Sequence, residues 1–169
     1  HRLDRPVGGI MIFAKTSKAA SRLSDQVREK VFKKKYLAVV DGKIENKSGT
    51  LEDYLYKDER NNISKVVNKG KKNAKFAKLD YDVIKYDEVK NLSLVKVNLH
   101  TGRHHQIRVQ LSNFGHSIFG DQKYGTRGQG KQIALWAYEL TINHPITKEE
   151  ITFKDLPESV GTWCILRNR

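Results

Sequence analysis

Hydrophobic positions along this chain follow two different periods. Gly9-Ile10-Met11-Ile12-Phe13-Ala14 is a continuous apolar run after glycines and predicts a buried strand. Ser17 stands where a helix cap is wanted. Ala20, Leu23, Val27 and Val31 then follow at spacings of three or four, with Arg22, Asp25, Arg28 and Glu29 on other faces, which predicts an amphipathic helix through about Val31. Tyr36-Leu37-Ala38-Val39-Val40 reads as a second strand, closed by an Asp41-Gly42 turn. From Lys43 to Lys78 large apolar residues thin out, so exposed hairpins or a long arm are expected there rather than core.

Alternation returns at Leu79, Tyr81 and Val83, and again over Leu92 to Leu99 after a turn at Asp87 to Asn91, predicting an antiparallel pair. Ile107, Leu111 and Phe114 form one face of a short helix stopped by Gly115. A loop follows from Gly120 to Gly125, extended by Gly128 and Gly130 without a phosphate-cradling pattern. Ile133 to Leu140 is a further strand, His144-Pro145 its turn and Ile151-Thr152-Phe153 its partner, with a short helix after Pro157. Periodicity therefore predicts one α+β domain: a mixed, mostly antiparallel sheet with a few flanking helices and no linker.

Charge turns this fold toward a class of partner. The 169 residues carry 32 Lys and Arg against 19 Asp and Glu, a formal charge of +13, which favours a polyanion through phosphate neutralisation and counterion release. No apolar run is long enough to span a bilayer and no basic helix has a broad apolar face, so a membrane partner is not expected. The single cysteine, Cys164, permits no internal disulfide and fits a reducing cytoplasm, as a buried filler. A chain that opens on histidine is expected to have lost residues upstream.

Two stretches carry candidate chemistry. In His1-Arg2-Leu3-Asp4-Arg5-Pro6-Val7-Gly8-Gly9 a lone carboxylate sits between two arginines in a loop shaped by proline and glycine. Nearby cations favour the ionised form, so Asp4 is either a salt-bridged loop aspartate, the commoner role, or a nucleophile. The second stretch, His100 to Arg108, is dense in functional side chains. His100, His104, His105 and His116 raise the question of a metal, but adjacent His104 and His105 are expected to point in different directions on a regular backbone, which speaks against shared ligation. No nucleophile-elbow pattern supports a serine hydrolase, and no cluster of carboxylates supports a metal-dependent nuclease.

The ordered set of His1-Arg2-Leu3-Asp4, Ala14-Lys15-Thr16, Lys35 to Gly42, Thr101 to Val109, and Gly120-Asp121 with Tyr124-Gly125 closely resembles the RluA-type RNA pseudouridine synthases over essentially the whole chain. The resemblance implies the pseudouridine synthase fold across residues 1–169, truncated on its N-terminal side, and isomerisation of a uridine in structured RNA, ribosomal or transfer. It implies Asp4 as the residue that attacks the nucleotide, Tyr36 as the stacking partner and proposed base, and Arg108 as the bidentate partner of Asp4. Leu135 corresponds to an apolar residue beside the uracil site, and Arg2 to a residue that fills the gap left by a flipped nucleotide.

Arg103, His105, Gln106 and Lys35 are expected to bind substrate, with Arg103 and the Lys33 to Lys35 run contacting phosphates. No metal or organic cofactor, no membrane and no obligate protein partner is implied, and a cytoplasmic monomer is expected. Family members commonly carry Thr-Ser where this chain has Val7-Gly8, and histidine where it has Gln110. A non-catalytic RNA-binding module derived from the same family is the alternative.

Overall fold

In the computed structural model, which describes residues 1–128 and 131–167, an eight-stranded sheet carries two helices. Its strands are β1 (Gly8–Gly9), β2 (Lys33–Asp41), β3 (Ser48–Asp58), β4 (Ile63–Val67), β5 (Lys75–Asp87), β6 (Leu92–Leu99), β7 (Leu135–Asn143) and β8 (Glu150–Lys154). They run in the order β1-β7-β2-β6-β5-β3-β4, with β8 also paired to β7. Only β1 on β7 is parallel among the described pairings. Gly130, part of the loop expected from the sequence, lies outside the described residues.

The β-branched centre of β2 explains why it sits mid-sheet. Tyr36 to Val40 are buried and pair on both sides, Tyr36 with Val97 of β6 and with Ala137 of β7. A register shift against β7 falls between Lys35 and Tyr36; such a bulge re-aims adjacent side chains. Helix α2 (Gln106–Asn113) drops Ile107 and Leu111 into the same core as Val39, Val95 and Val97. Gly115 ends this stretch at φ 92°, as its position predicted.

Several elements differ from expectation. The apolar run after Gly9 is not a strand: pairing stops at Gly8–Gly9, and Met11 and Phe13 are exposed. Gly9, at φ 114°, lies so close to β7 that a Cβ there would collide with the Ala137 carbonyl. Helix α1 (Ser17–Arg28) is capped by Thr16, whose Oγ1 accepts from Ala19 N, rather than by Ser17, and it ends at Arg28, before Lys30 turns to φ 61°.

The largest correction concerns Lys43 to Lys78, which supplies β3, β4 and the start of β5. Leu55 and Ala77 are buried there and pack with Val109 of α2. Burial alternates over Ser48 to Asp53, with Ser48, Thr50 and Glu52 exposed, but the inward positions there are Gly49, Leu51 and Asp53, too few large apolar residues to leave an apolar period. Strand β7 starts two residues later than expected, and the tail after Pro157 forms a short 3-10 helix, Gly161–Leu166. Cys164 is half-buried rather than a fully buried filler. Among the described residues no helix is long and apolar enough to cross a membrane.

Candidate active site

The loop that carries Asp4 is tied down on its C-terminal side. Val7 N donates to Asp4 O at 2.9 Å, the Gln132 carboxamide donates to Pro6 O, and Ile10 N donates to Ala137 O at 2.9 Å. With the β1–β7 pairing these bonds pin the loop to the sheet two residues beyond the turn and leave the Asp4 side chain 30% exposed. It faces an open cleft of about 1730 Å³. Asp4 is the one carboxylate among the described lining residues, against lysines and arginines from almost every neighbouring element.

Arg108 reaches Asp4 from the floor of this cleft. Its Nη1 lies 3.3 Å from Asp4 Oδ2, a single contact. The bidentate pair expected with Asp4 is made instead with Asp121: Nε to Oδ2 at 2.8 Å and Nη2 to Oδ1 at 2.7 Å, with Asp121 fully buried. Burial opposes both charges, but the pair, with Asp4 on one side and the Lys123 and Tyr124 amides on the other, holds Arg108 above and Asp121 below their usual ranges. The Tyr124 ring lies under the guanidinium, 5.2 Å from its centroid. Asp121 stood within a matching motif, yet no local pattern tied it to an arginine 13 residues upstream.

Tyr36 is buried beside the site, and burial first, with Asp4 adding, pushes its phenol up to about 12. It is therefore an aromatic face with a protonated hydroxyl at neutral pH. Leu135 is buried in the cleft wall opposite the solvent.

His104 and His105 do not diverge as expected. His105 sits at φ 52°, in the left-handed region at the head of α2, and this turn stacks the two rings at 3.7 Å. Nε2 of His105 lies 3.8 Å from Asp4 Oδ2. Burial pushes His105 down to about 4, only partly opposed by Asp4, so this approach is that of a neutral ring and not an ion pair. Among the described residues no cluster of three or more His, Cys, Asp or Glu side chains is placed to hold a metal ion.

The remaining expected residues divide into rim and brace. Arg2 and Arg103 are exposed and line the cleft, Arg103 with its Nε on Phe76 O at 2.8 Å. Gln106 lines it too, but its carboxamide is engaged within the protein: Oε1 accepts from Thr101 Oγ1 and Arg103 N, and Nε2 donates to Lys78 O. Lys35 is held by Glu139 at 2.6 Å and Lys33 by Glu150 at 3.0 Å. Of that run only Lys34 has no carboxylate partner among the described residues. Burial lowers its pKa, and it lines the same cleft.

A carboxylate on a loop, a guanidinium fixed behind it, a buried aromatic face and a cationic rim suit covalent chemistry on an anionic polymer. Comparison with known proteins gives the family. A family model described as RNA pseudouridylate synthase matches residues 1–113. The tRNA pseudouridine synthase C of Haemophilus influenzae is 34% identical over 170 residues, covering 90% of this chain and 70% of that protein. An uncharacterized RNA pseudouridine synthase of Bacillus subtilis, YhcT, is 36% identical over 154 residues, 89% of this chain and 49% of its own length.

The chain thus spans about half the length of YhcT and 55% of a relative from Aquifex aeolicus. Among solved structures, human RNA pseudouridylate synthase domain containing 1 superposes with a TM-score of 0.83 at 25% identity, over 96% of this chain and 70% of that one. Since the family match runs through Asp4, Tyr36 and Arg108, and more than 30% identity extends over most of a curated synthase, the chain belongs to the RNA pseudouridylate synthase family.

Proposed function

We propose that this chain is the catalytic core of an enzyme that isomerises a uridine of structured RNA to pseudouridine, with Asp4 as nucleophile. The observation that carries this reading is the placement of Asp4: the one carboxylate among the described residues lining a cationic cleft, held through Arg108 by buried Asp121. The target uridine leaves its helix and enters the cleft, because the glycosidic bond is unreachable inside a stack. Asp4 attacks ribose C1′ as the N1–C1′ bond breaks and its electron pair stays on N1. The freed uracil turns, C5 bonds to C1′ and the carboxylate is released. N1 takes up a proton and C5 gives one up, so the reaction is a net isomerisation with no cofactor.

Tyr36 stacks on the base. A phenol pushed up to about 12 stacks well and accepts protons rarely near neutral pH. Leu135 packs against the uracil, Arg2 fills the vacated position in the helix, and Lys34, Arg103 and Arg5 face phosphates. Arg108 keeps the carboxylate oriented.

The test is pseudouridine formation on cellular RNA, read by mass spectrometry, for the full-length protein and its Asp4→Asn variant. Product from the wild type and none from the variant is expected, with RNA affinity retained or slightly raised, since the substitution removes the negative charge from a cationic cleft. RNA binding by a wild type that makes no pseudouridine on any RNA would establish a binding module instead.

A further inference from the structure

A chain of hydrogen bonds links the edge strand β4 to His105, whose Nε2 faces Asp4. Ser64 N, in β4, donates to the Tyr124 hydroxyl at 2.7 Å, and that hydroxyl lies 2.8 Å from His105 Nδ1. Ser64 Oγ donates to His104 O at 2.8 Å and lies 3.0 Å from His104 Nδ1, so the strand holds both histidines. The Tyr124 oxygen accepts the Ser64 amide, and burial raises its pKa, so the phenol keeps a proton to donate, with His105 Nδ1 as its acceptor. His105 is neutral and carries one proton. A neutral ring that accepts at Nδ1 carries that proton on Nε2, and Nε2 is the atom turned to Asp4 Oδ2.

Both approaches to the carboxylate thus fall on one oxygen. Arg108 Nη1 and His105 Nε2 face Oδ2 at 3.3 and 3.8 Å, and no described hydrogen bond reaches Oδ1. We propose that His105 is a positioning residue for Asp4, locked by Tyr124 and Ser64 into the tautomer that turns Nε2–H toward Oδ2, so that Oδ1 is the attacking oxygen. This rests on Asp4 being the nucleophile. The Oδ1–C1′ bond forms as N1–C1′ breaks with its pair left on N1, and the Oδ1–C1′ bond breaks when C5 captures C1′, its pair returning to the carboxylate. Oδ2 stays on its two partners through both steps. In the opposite tautomer an Nε2 lone pair would face a carboxylate oxygen and repel it. In this tautomer Nε2 has no free lone pair, so His105 is not the acceptor of the C5 proton.

The experiment has two arms on the full-length protein. Long-range ¹⁵N–¹H correlation spectra of ¹⁵N-histidine protein at pH 7 are expected to show His105 as the Nε2–H tautomer. An Nδ1–H or charged ring would overturn the proposal, and this arm needs no variant and no substrate. In the second arm Tyr124→Phe keeps the ring beneath Arg108 and removes only the hydroxyl; kcat is expected to fall about tenfold with KM for RNA unchanged. Repeated in a His105→Gln background, which has no tautomer to lock, the same substitution is expected to cost nothing further. An equal fall in both backgrounds, or a change confined to KM, would mean that Tyr124 serves folding or RNA binding and would sink the lock. Failure of the nucleophile reading looks different: Asp4→Asn would still form product, which removes the Oδ1 assignment and leaves the tautomer spectrum as it was.

Discussion

Asp4 and Arg108 meet across the cleft from opposite kinds of structure. Asp4 rides a loop whose regular anchor is a two-residue strand, with its side chain 30% exposed. Arg108 belongs to a helix buried along most of its length and is clamped at 2.7 and 2.8 Å to a carboxylate with no exposure. The contact between the two regions is looser, 3.3 Å. The protein thus keeps its strong, buried electrostatics in the floor, where they fix the guanidinium, and leaves the Asp4 carboxylate lightly held. A carboxylate placed like Asp121, clamped through both oxygens and fully buried, could not reach a substrate.

Separate substitutions should expose that division. Asp4→Asn is expected to lower kcat by about 10⁴-fold or more while changing stability by no more than about 0.5 kcal/mol, measured by pseudouridine assay and urea melts. Asp121→Ala should do the reverse damage first: it strands a buried guanidinium and is expected to cost about 3–5 kcal/mol of stability. If Asp121→Ala melts like wild type, the floor is not the rigid half. Gly9→Ala tests the loop anchor, since the new Cβ meets the Ala137 carbonyl at a positive φ. A loss of about 1–3 kcal/mol and a fall in kcat of up to roughly 10²-fold are expected, with RNA affinity little changed.

The two smaller effects concern the ionic setting. His105 has a folded pKa of about 4, below its ordinary 6.5, so between these values the unfolded chain binds a proton that the folded one does not. Stability is therefore expected to fall as pH drops from about 6.5 to about 4. His104, also lowered by burial, adds in the same direction. His105→Gln should flatten that slope in thermal melts across the window. On the rim, Lys34→Ala is expected to reduce the salt dependence of RNA binding by about one ion, and Lys33→Ala and Lys35→Ala by less, because Glu150 and Glu139 already neutralise those two.

Much of this layout was legible in the chain. β2, the β5–β6 pair, β7 and β8 were visible because half-buried and fully buried strands leave alternating or continuous apolar patterns. The strand expected at Gly9 to Ala14 failed for the converse reason: an apolar run reports a preference for burial, and here Ile10 and Ile12 satisfy it by packing on Leu23, Phe32, Leu140 and Ile142 without strand pairing, while Met11 and Phe13 remain exposed. Between Lys43 and Lys78 the expected hairpin forms, but it is joined to the core through Leu55, with Ala77 of β5 beside it, a contribution hidden by the many lysines of that stretch. Gln106 and Lys35, expected to bind substrate, are engaged by Lys78 O and Glu139, contacts that no spacing encodes.

The sequence by itself determined the strong basic charge, the order of the strands along the chain, the family resemblance, and the candidacy of Asp4, Tyr36 and Arg108, because charge, periodicity and local motif are written residue by residue. Only the tertiary structure decided which carboxylate grips Arg108, that neighbouring histidine rings stack, and which oxygen of Asp4 is left without a described partner. These depend on groups far apart in the chain, up to 104 residues for Arg108 and Asp4, and on a left-handed turn at His105 that L-residues seldom adopt. Distances of that kind arise only when the sheet closes and burial raises the cost of every unpaired charge.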